Sequence, residues 1–426
     1  MNEKQTHWSA KTVPLQLDPA VQAAIQGPYQ PLLEECLRLH RASYLEPVGP
    51  FQHPWQDIGV GYMAFPCFGH WDLIHECLNL LPYAPEMVRQ QLKMYLSFIG
   101  EDGQMPGTVY GPKALGANQT WDPALWYERD GCHWSRQWSH PPLWPHLVED
   151  YYAQTKDRTF LAFCLKQGLK NLAWWKSRRG TPDGGFFYFD IVRRLWESGV
   201  DDGVRFIQAP AEPCACVDAT SHLAGMMIHL QRWADTLGDP TVDLRGDIRA
   251  AESLVRNTMW DERLGFFFDT WMTDGRVKPI FSFEGFFPLL AHLATPEQAR
   301  RLRDHALDPR TFFSYHPLAT VAVNEATFKL DCWRGPAWNS MTYWIMRALA
   351  DYGFTDAAAT IGQQALKRSA EAFQTYGHIF EFYNSTGAAI EPLGRKGSPT
   401  GPCRDYLGHA PLLAMYRLCQ AATPMG

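Results

Sequence analysis

Long connections and very short turns alternate along this chain, and that alternation restricts its architecture more than any single motif. Apolar periodicity and helix-end signals predict helices over 29–43, 71–81, 85–99, 142–155, 158–179, 217–237, 241–260, 285–293, 296–305, 336–352, 356–375 and 409–422. The connections entering the even-numbered helices are long, at 44–70, 100–141, 180–216, 261–284, 306–335 and 376–408. Those entering odd-numbered helices shrink to Pro82-Tyr83-Ala84, Lys156-Asp157, Gly238-Asp239-Pro240, Ala294-Thr295 and Gly353-Phe354-Thr355. A short turn holds its two helices antiparallel, so all six long connections must emerge at one end of the assembly. Six helical hairpins side by side predict an all-α (α/α)6 barrel, a closed six-hairpin toroid. The alternative is an open solenoid, which the unequal hairpins and the lack of a repeated consensus disfavour. If the even-numbered helices are inside, each long connection feeds an inner N-terminus, where unpaired N–H groups and the helix dipole favour electron-rich ligands. A loop-walled cavity at that end is the expected binding site.

The chain can bury what this architecture needs. Hydrophobic residues make up 46% of its 426 residues, and 20% are charged without a long like-charge run, a balance that excludes disorder. No low-complexity linker divides it, which predicts one catalytic domain, 29–426, behind an N-terminal arm, 1–28. The net charge of −6 lacks the basic stripe that nucleic acid requires. Met1-Asn2-Glu3-Lys4-Gln5-Thr6-His7 carries no apolar leader and no stretch reaches the length of a membrane span, so no membrane partner and a cytoplasmic location are expected. Ten cysteines are scattered without paired C-x-x-C spacing and read as reduced thiols.

Several chemistries lack their motifs. Among 15 histidines, His70 with His75 are among the closest pairs, as Cys214 with Cys216 are among the cysteines, but neither has zinc spacing. There is no Gly-x-Ser-x-Gly elbow, no Gly-x-Gly-x-x-Gly and no P-loop, so neither a metal nor an organic cofactor is expected. What remains is carboxylates set in aromatic, Gly-rich loops, the material of a sugar site. The 17 Trp and 17 Tyr fit a small carbohydrate partner, and the loop pairs Trp134 with Trp138 and Trp333 with Trp338 fit it best.

Four segments stand out. Gly69-His70-Trp71-Asp72 puts Asp72 at a helix start, as a ligand or as an N-cap or first-turn carboxylate. Glu197-Ser198-Gly199-Val200-Asp201-Asp202 gathers three carboxylates, which crowding beside apolar walls can turn into a protonated acid, or which form a solvated acidic turn. Trp333-Arg334-Gly335-Pro336-Ala337-Trp338 runs into a helix expected to begin at Pro336. Glu381-Phe382-Tyr383-Asn384 offers either a catalytic or an ion-paired carboxylate.

On these residues the chain resembles the glycoside hydrolase family 63 clan, in particular its compact bacterial enzymes acting on mannosylglycerate or glucosylglycerate. The resemblance runs from about Gly69 to Ala421 and is most specific at Glu197-Ser198-Gly199-Val200-Asp201, Trp333 to Trp338 and Glu381 to Asn384. It implies a single (α/α)6 barrel and an inverting hydrolysis of a small α-glycoside, with Asp201 as general acid and Glu381 as general base. It also implies that Trp71, Asp72, Trp333, Arg334 and Trp338 bind the glycone. His140, in His140-Pro141-Pro142 where such enzymes show Gln-Pro-Pro, and Tyr383, beside the base, complete the expected substrate-binding set. The final loop, Gly401 to His409, lacks the family's aromatic-Trp signature.

Other functions on the same toroid make different demands. A trehalase-like hydrolase would share the motifs. A sugar epimerase or isomerase would move protons with histidines such as His140 and His378. A non-catalytic sugar-binding protein would need neither carboxylate. A glycerate-like aglycone carries a carboxylate of its own, and the loops offer Arg136, Arg205, Arg395, Lys396 and Arg404 to receive it.

Overall fold

A computed structural model of the chain describes residues 11–62, 67–111, 122–192 and 196–422. Residues 1–10 of the expected arm lie outside the described residues. Twelve helices build the barrel: α1 (Gln30–Ala42), α2 (His70–Leu80), α3 (Pro85–Ser97), α4 (Trp144–Thr155), α5 (Arg158–Arg179) and α6 (Val217–Leu237) form its first half. The second half is α7 (Arg245–Asn257), α8 (Phe287–Leu290), α9 (Pro296–Leu307), α10 (Asn339–Asp351), α11 (Thr355–Tyr376) and α12 (Leu412–Ala422). Two single-turn helices, Ala20–Ala24 and Thr270–Thr273, lie outside this set.

The even-numbered helices are the inner ring. α2 contacts α4, α4 contacts α6, α6 contacts α8, α8 contacts α10, α10 contacts α12, and α12 contacts α2. That cycle closes the barrel and excludes the open solenoid. Burial follows from position: every residue of α2 is buried, because neighbours surround it, whereas α7 buries only Ala251, Leu254 and Val255. Local chemistry fixes the tight turns at the opposite end. Asp157 caps α5 through the Phe160 N–H at 2.9 Å, and Thr295 forms a capping box with Gln298 ahead of α9.

Two helix starts depart from expectation. The segment predicted as helix 285–293 is a 3-10 turn, Phe283–Phe286, running into the four-residue α8, after which His292 takes a left-handed backbone with φ 55°. Pro336 does not begin α10. Its neighbour Ala337 exchanges both backbone hydrogen bonds with Tyr383 at 2.9 Å, so residues before Trp338 are held extended and the helix starts at Asn339.

The long connections are partly ordered as β-structure, which the helix-centred reading left unassigned. Residues 67–69, 108–110, 132–135 and 126–129 form an antiparallel four-stranded sheet in that spatial order. Its hairpin is closed by Asp130-Gly131, both at positive φ, 53° and 71°, the two-residue turn that this dipeptide favours. The sheet walls the loop end of the barrel.

Candidate active site

Five of the six long connections line one cavity of about 440 Å³ at the N-terminal ends of the inner helices. The exception among the described residues, 261–284, acts from behind: Phe283 stacks on Trp333 with centroids 5.7 Å apart. Of the residues expected to act, Asp201, Glu381, Trp71, Asp72, His140, Trp333 and Trp338 all face this cavity.

The aromatic wall is built by stacking. Trp333 and Trp338 lie face to face, centroids 3.7 Å apart and planes 6° from parallel. Trp71 stands 6.0 Å from Trp333 and stacks on His140 at 5.7 Å. Such flat, apolar faces match the C–H face of a sugar ring. Gly199 sits against Trp71 with φ 71°, where an added Cβ would overlap the indole. Gly199→Ala should therefore push Trp71 out of the wall and lower kcat/KM by about a hundredfold, the usual cost of an ångström-scale misplacement. Wild-type kcat/KM in steady-state assays of this variant would count against that packing role.

The three clustered carboxylates separate into three roles. Glu197 is fully buried and accepts two hydrogen bonds from Arg179, at 2.6 and 2.9 Å, and one each from the N–H groups of Ser139 and Phe189. It ties two loops to the end of α5. Asp201 turns into the cavity and forms an ion pair with Lys396. Asp202 accepts the Trp333 N–H at 3.2 Å and pairs with Arg334 at 3.3 Å, which holds the tryptophan loop in place. Glu197→Gln should cost about 3–5 kcal/mol in denaturant unfolding, because Arg179 would be left buried without its counter-charge. An unchanged unfolding midpoint would contradict this reading.

Two expected substrate ligands lie outside the cavity lining. Arg334 is spent on Asp202, its Nε also donating to the Asp202 carbonyl at 3.1 Å, and does not line the cavity. Tyr383 also lies outside it: its ring stacks on His316 at 4.7 Å, and its hydroxyl accepts the Phe380 N–H at 3.3 Å. Both residues hold the site's backbone. The Ala337–Tyr383 bridge joins the loop of Trp333 and Trp338 to that of Glu381.

Of the cations offered for an anionic aglycone, Arg205 is buried among Asp218, Asp269 and Glu284 at 2.6, 2.9 and 3.2 Å, which makes it structural. It also fills the one potential metal-ligand cluster among the described residues, Cys216, Asp218 and Asp269, with a guanidinium. Arg136 and Arg404 are exposed and away from the cavity. Arg395 and Lys396 line it.

Arg395 donates to both oxygens of Glu381, at 2.8 and 2.9 Å, and the Cys403 N–H adds a third bond at 3.0 Å. Burial alone would raise the Glu381 carboxyl. Arg395 and these hydrogen bonds outweigh it and hold the group below its ordinary value, so Glu381 is ionised near neutrality. Burial dominates at Asp72 instead, pushing its carboxyl up to about 7 despite the hydrogen bond from the Tyr406 hydroxyl. Within the 197–202 cluster, burial likewise raises the carboxyls of Glu197 and Asp202.

Burial holds His140 neutral down to about 3 and His75 to about 4. His75 bridges the Gly408 carbonyl at 2.6 Å and the Trp344 indole N–H at 2.9 Å, bracing the floor. His378, the other histidine an isomerase would need, pairs with Asp405 away from the cavity. Sequence reasoning left Tyr406 and His409 out of the site, although both line it. Their signal was positional: they end the last long loop where it feeds α12, much as Trp71 and Asp72 open α2 at the end of the first.

The family model for the mannosylglycerate hydrolase MGH1-like glycoside hydrolase domain matches residues 68–400. Mannosylglycerate hydrolase MGH2 of Selaginella moellendorffii is 21% identical over 382 residues, covering 75% of this chain and 75% of that protein. An uncharacterized protein of Borreliella burgdorferi is 23% identical over 162 residues, so the match spans 36% of this chain and 34% of that protein. Among solved structures, the GH63 mannosylglycerate hydrolase from Thermus thermophilus in complex with glucose superposes with a TM-score of 0.69 at 18% identity, over 92% of this chain and 100% of that one. The shared fold is the (α/α)6 toroid. Among the described residues, no helix is long and apolar enough to cross a membrane.

Proposed function

The chain belongs to the family of mannosylglycerate hydrolase MGH1-like glycoside hydrolases, and from that premise we propose that it hydrolyses a small α-glycoside of glyceric acid with inversion at the anomeric carbon. The observation that carries this reading is one cavity receiving two carboxylates from different loops, Asp201 and Glu381, across a tryptophan wall. Asp201 protonates the glycosidic oxygen as the bond to the anomeric carbon breaks. Glu381, kept ionised by Arg395, takes a proton from the water that attacks the opposite face. Trp71, Trp333 and Trp338 pack the sugar ring, and Asp72 and His140 bond its hydroxyls.

The glycerate assignment draws on the names of the relatives and on Lys396 at the cavity. A trehalase-like substrate would bring no anion for Lys396 to meet. The rival isomerase loses its proton carriers, since His378 is outside the cavity and His140 is too weak a base. Assays with mannosylglycerate, glucosylglycerate and trehalose test the reading. Release of glycerate at a kcat/KM well above that for trehalose is expected. Turnover of trehalose alone would replace it with the trehalase reading, and conversion without bond cleavage would replace it with isomerisation.

A further inference from the structure

A two-residue hairpin tip delivers one cation to each of the two carboxylates. The Arg395 N–H bonds the Ser398 carbonyl at 2.8 Å and the Ser398 N–H bonds back at 3.0 Å, leaving Lys396 and Gly397 as the turn, at φ 53° and 76°. Asp331 anchors the turn by accepting the Gly397 N–H at 3.0 and 3.3 Å. A left-handed lysine costs about 1–2 kcal/mol of backbone strain, and a residue kept there despite that cost points to function. The two cations differ in freedom. Arg395 is buried in a two-point clasp on Glu381, whereas the Lys396 side chain is 36% exposed and pairs with Asp201.

That contact opposes the role proposed for Asp201. A carboxylate held by an ammonium cannot at the same time face the glycosidic oxygen it must protonate. We propose that Lys396 is a specificity switch: the carboxylate of the aglycone draws the ammonium off Asp201, and only then is that side chain free to reach the glycosidic oxygen. This rests on the glycosylglycerate reading above and deepens it.

The remaining surroundings leave Lys396 as the group that moves. Among the described residues that line the cavity, the cations are Arg395 and Lys396, and Arg395 is held by Glu381. The charged groups near the pair are Glu381 and Arg395 on the same loop, Asp72 at the start of α2, Asp190 behind the 197–202 turn, Asp122 on the cavity wall, and Asp202 with Arg334 across the 333–338 loop. His140 stays neutral. Arg334 and Asp202 neutralise each other. A substrate carboxylate entering this side therefore finds one exchangeable counter-ion.

The proton balance is that of simple hydrolysis. The substrate carboxylate and Lys396 pair, and Asp201 takes one proton from solvent. Asp201 passes that proton to the leaving oxygen, the water oxygen bonds to the anomeric carbon, and Glu381 receives the water proton and returns it to solvent. One water is consumed. A neutral aglycone leaves Lys396 on Asp201, so the acid stays covered.

The test compares wild type, Lys396→Met and Lys396→Arg on a glycosylglycerate and on the matched glycosylglycerol, in which CH2OH replaces the carboxylate. Wild type should prefer the charged substrate. Lys396→Met should lose about 10–100-fold in kcat/KM on it, the scale of one charge-assisted hydrogen bond. On the glycerol compound the same variant should gain several-fold, because the ammonium no longer covers the acid. Lys396→Arg should restore the preference in part. Equal losses on both substrates, or a wild type indifferent to the carboxylate, would overturn the switch. Turnover of the α-glycosyl fluoride, whose leaving group needs little protonation, reports separately on the glycosidase reading. A wild type active on the fluoride but indifferent to the carboxylate sinks the switch alone, and one inactive on glycosides and fluorides alike sinks the glycosidase.

Discussion

Asp201→Asn and Glu381→Gln each lower kcat by about 10²–10⁴-fold, the share of the rate that a positioned acid or base supplies, while sugar binding persists. Neither substitution removes the tryptophan wall, so isothermal titration with the monosaccharide product should still detect binding. The two variants are not equivalent. Asp201→Asn removes the proposed general acid, so it should retain much more activity on an α-glycosyl fluoride than on a glycosylglycerate. Glu381→Gln removes the base that activates water and should lose both. Near-normal turnover in either variant would mean that a different carboxylate carries that role. Asp72 is then the first alternative, because burial already brings its carboxyl to about 7.

Arg395→Met should be nearly as damaging, by a different route. In the wild-type site, burial raises the Glu381 carboxyl and the Arg395 clasp overrides it, so that the group lies below its ordinary value. Without the guanidinium, burial wins and Glu381 holds a proton at pH values where the wild type is ionised. Because the base proposed at Glu381 would act in its ionised form, the acidic limb of the kcat/KM profile should move to higher pH, with the deepest loss at acid pH and recovery toward alkaline pH. Stability follows the same sign. A depressed carboxyl stabilises the fold above its unfolded value and loses that contribution as pH falls through its folded value. Removing one partner of this buried pair should also cost about 3–5 kcal/mol in unfolding at neutral pH. Arg395→Lys keeps the charge without the two-point clasp and should move the limb less. An acidic limb unmoved in both variants would contradict the electrostatic role.

The ring was legible in the chain because turn length dictates direction: five tight turns leave little choice about which end the long connections occupy. Helix starts inside those connections were harder to read. At Pro336 a residue suited to begin a helix is instead held extended by the pairing of Ala337 with Tyr383, a contact between residues distant in sequence. The loop sheet escaped a helix-centred reading, though Asp130-Gly131 carried a hairpin signal that local pattern could have used.

Within the site, residue types were legible but directions were not. Glu197, Asp201 and Asp202 read as one acidic cluster, yet the backbone turn at Gly199 sends one into the core, one into the cavity and one to the tryptophan loop. Arg334 lies in a turn closed by its own N–H on the Asp331 carbonyl and is drawn to Asp202, while Tyr383 is drawn to the ring of His316. Lys396 and Arg395 were visible only as two loop cations among five. Their distinction came from what each side chain reaches in space.

The most direct test of the inverting acid–base pair is proton NMR of the wild-type enzyme hydrolysing its α-glycoside, recorded before the product sugar mutarotates. Water attacking opposite the leaving group must release the β-anomer first. Initial accumulation of the α-anomer would signal double displacement through a covalent intermediate and would contradict the roles of Asp201 as general acid and Glu381 as general base.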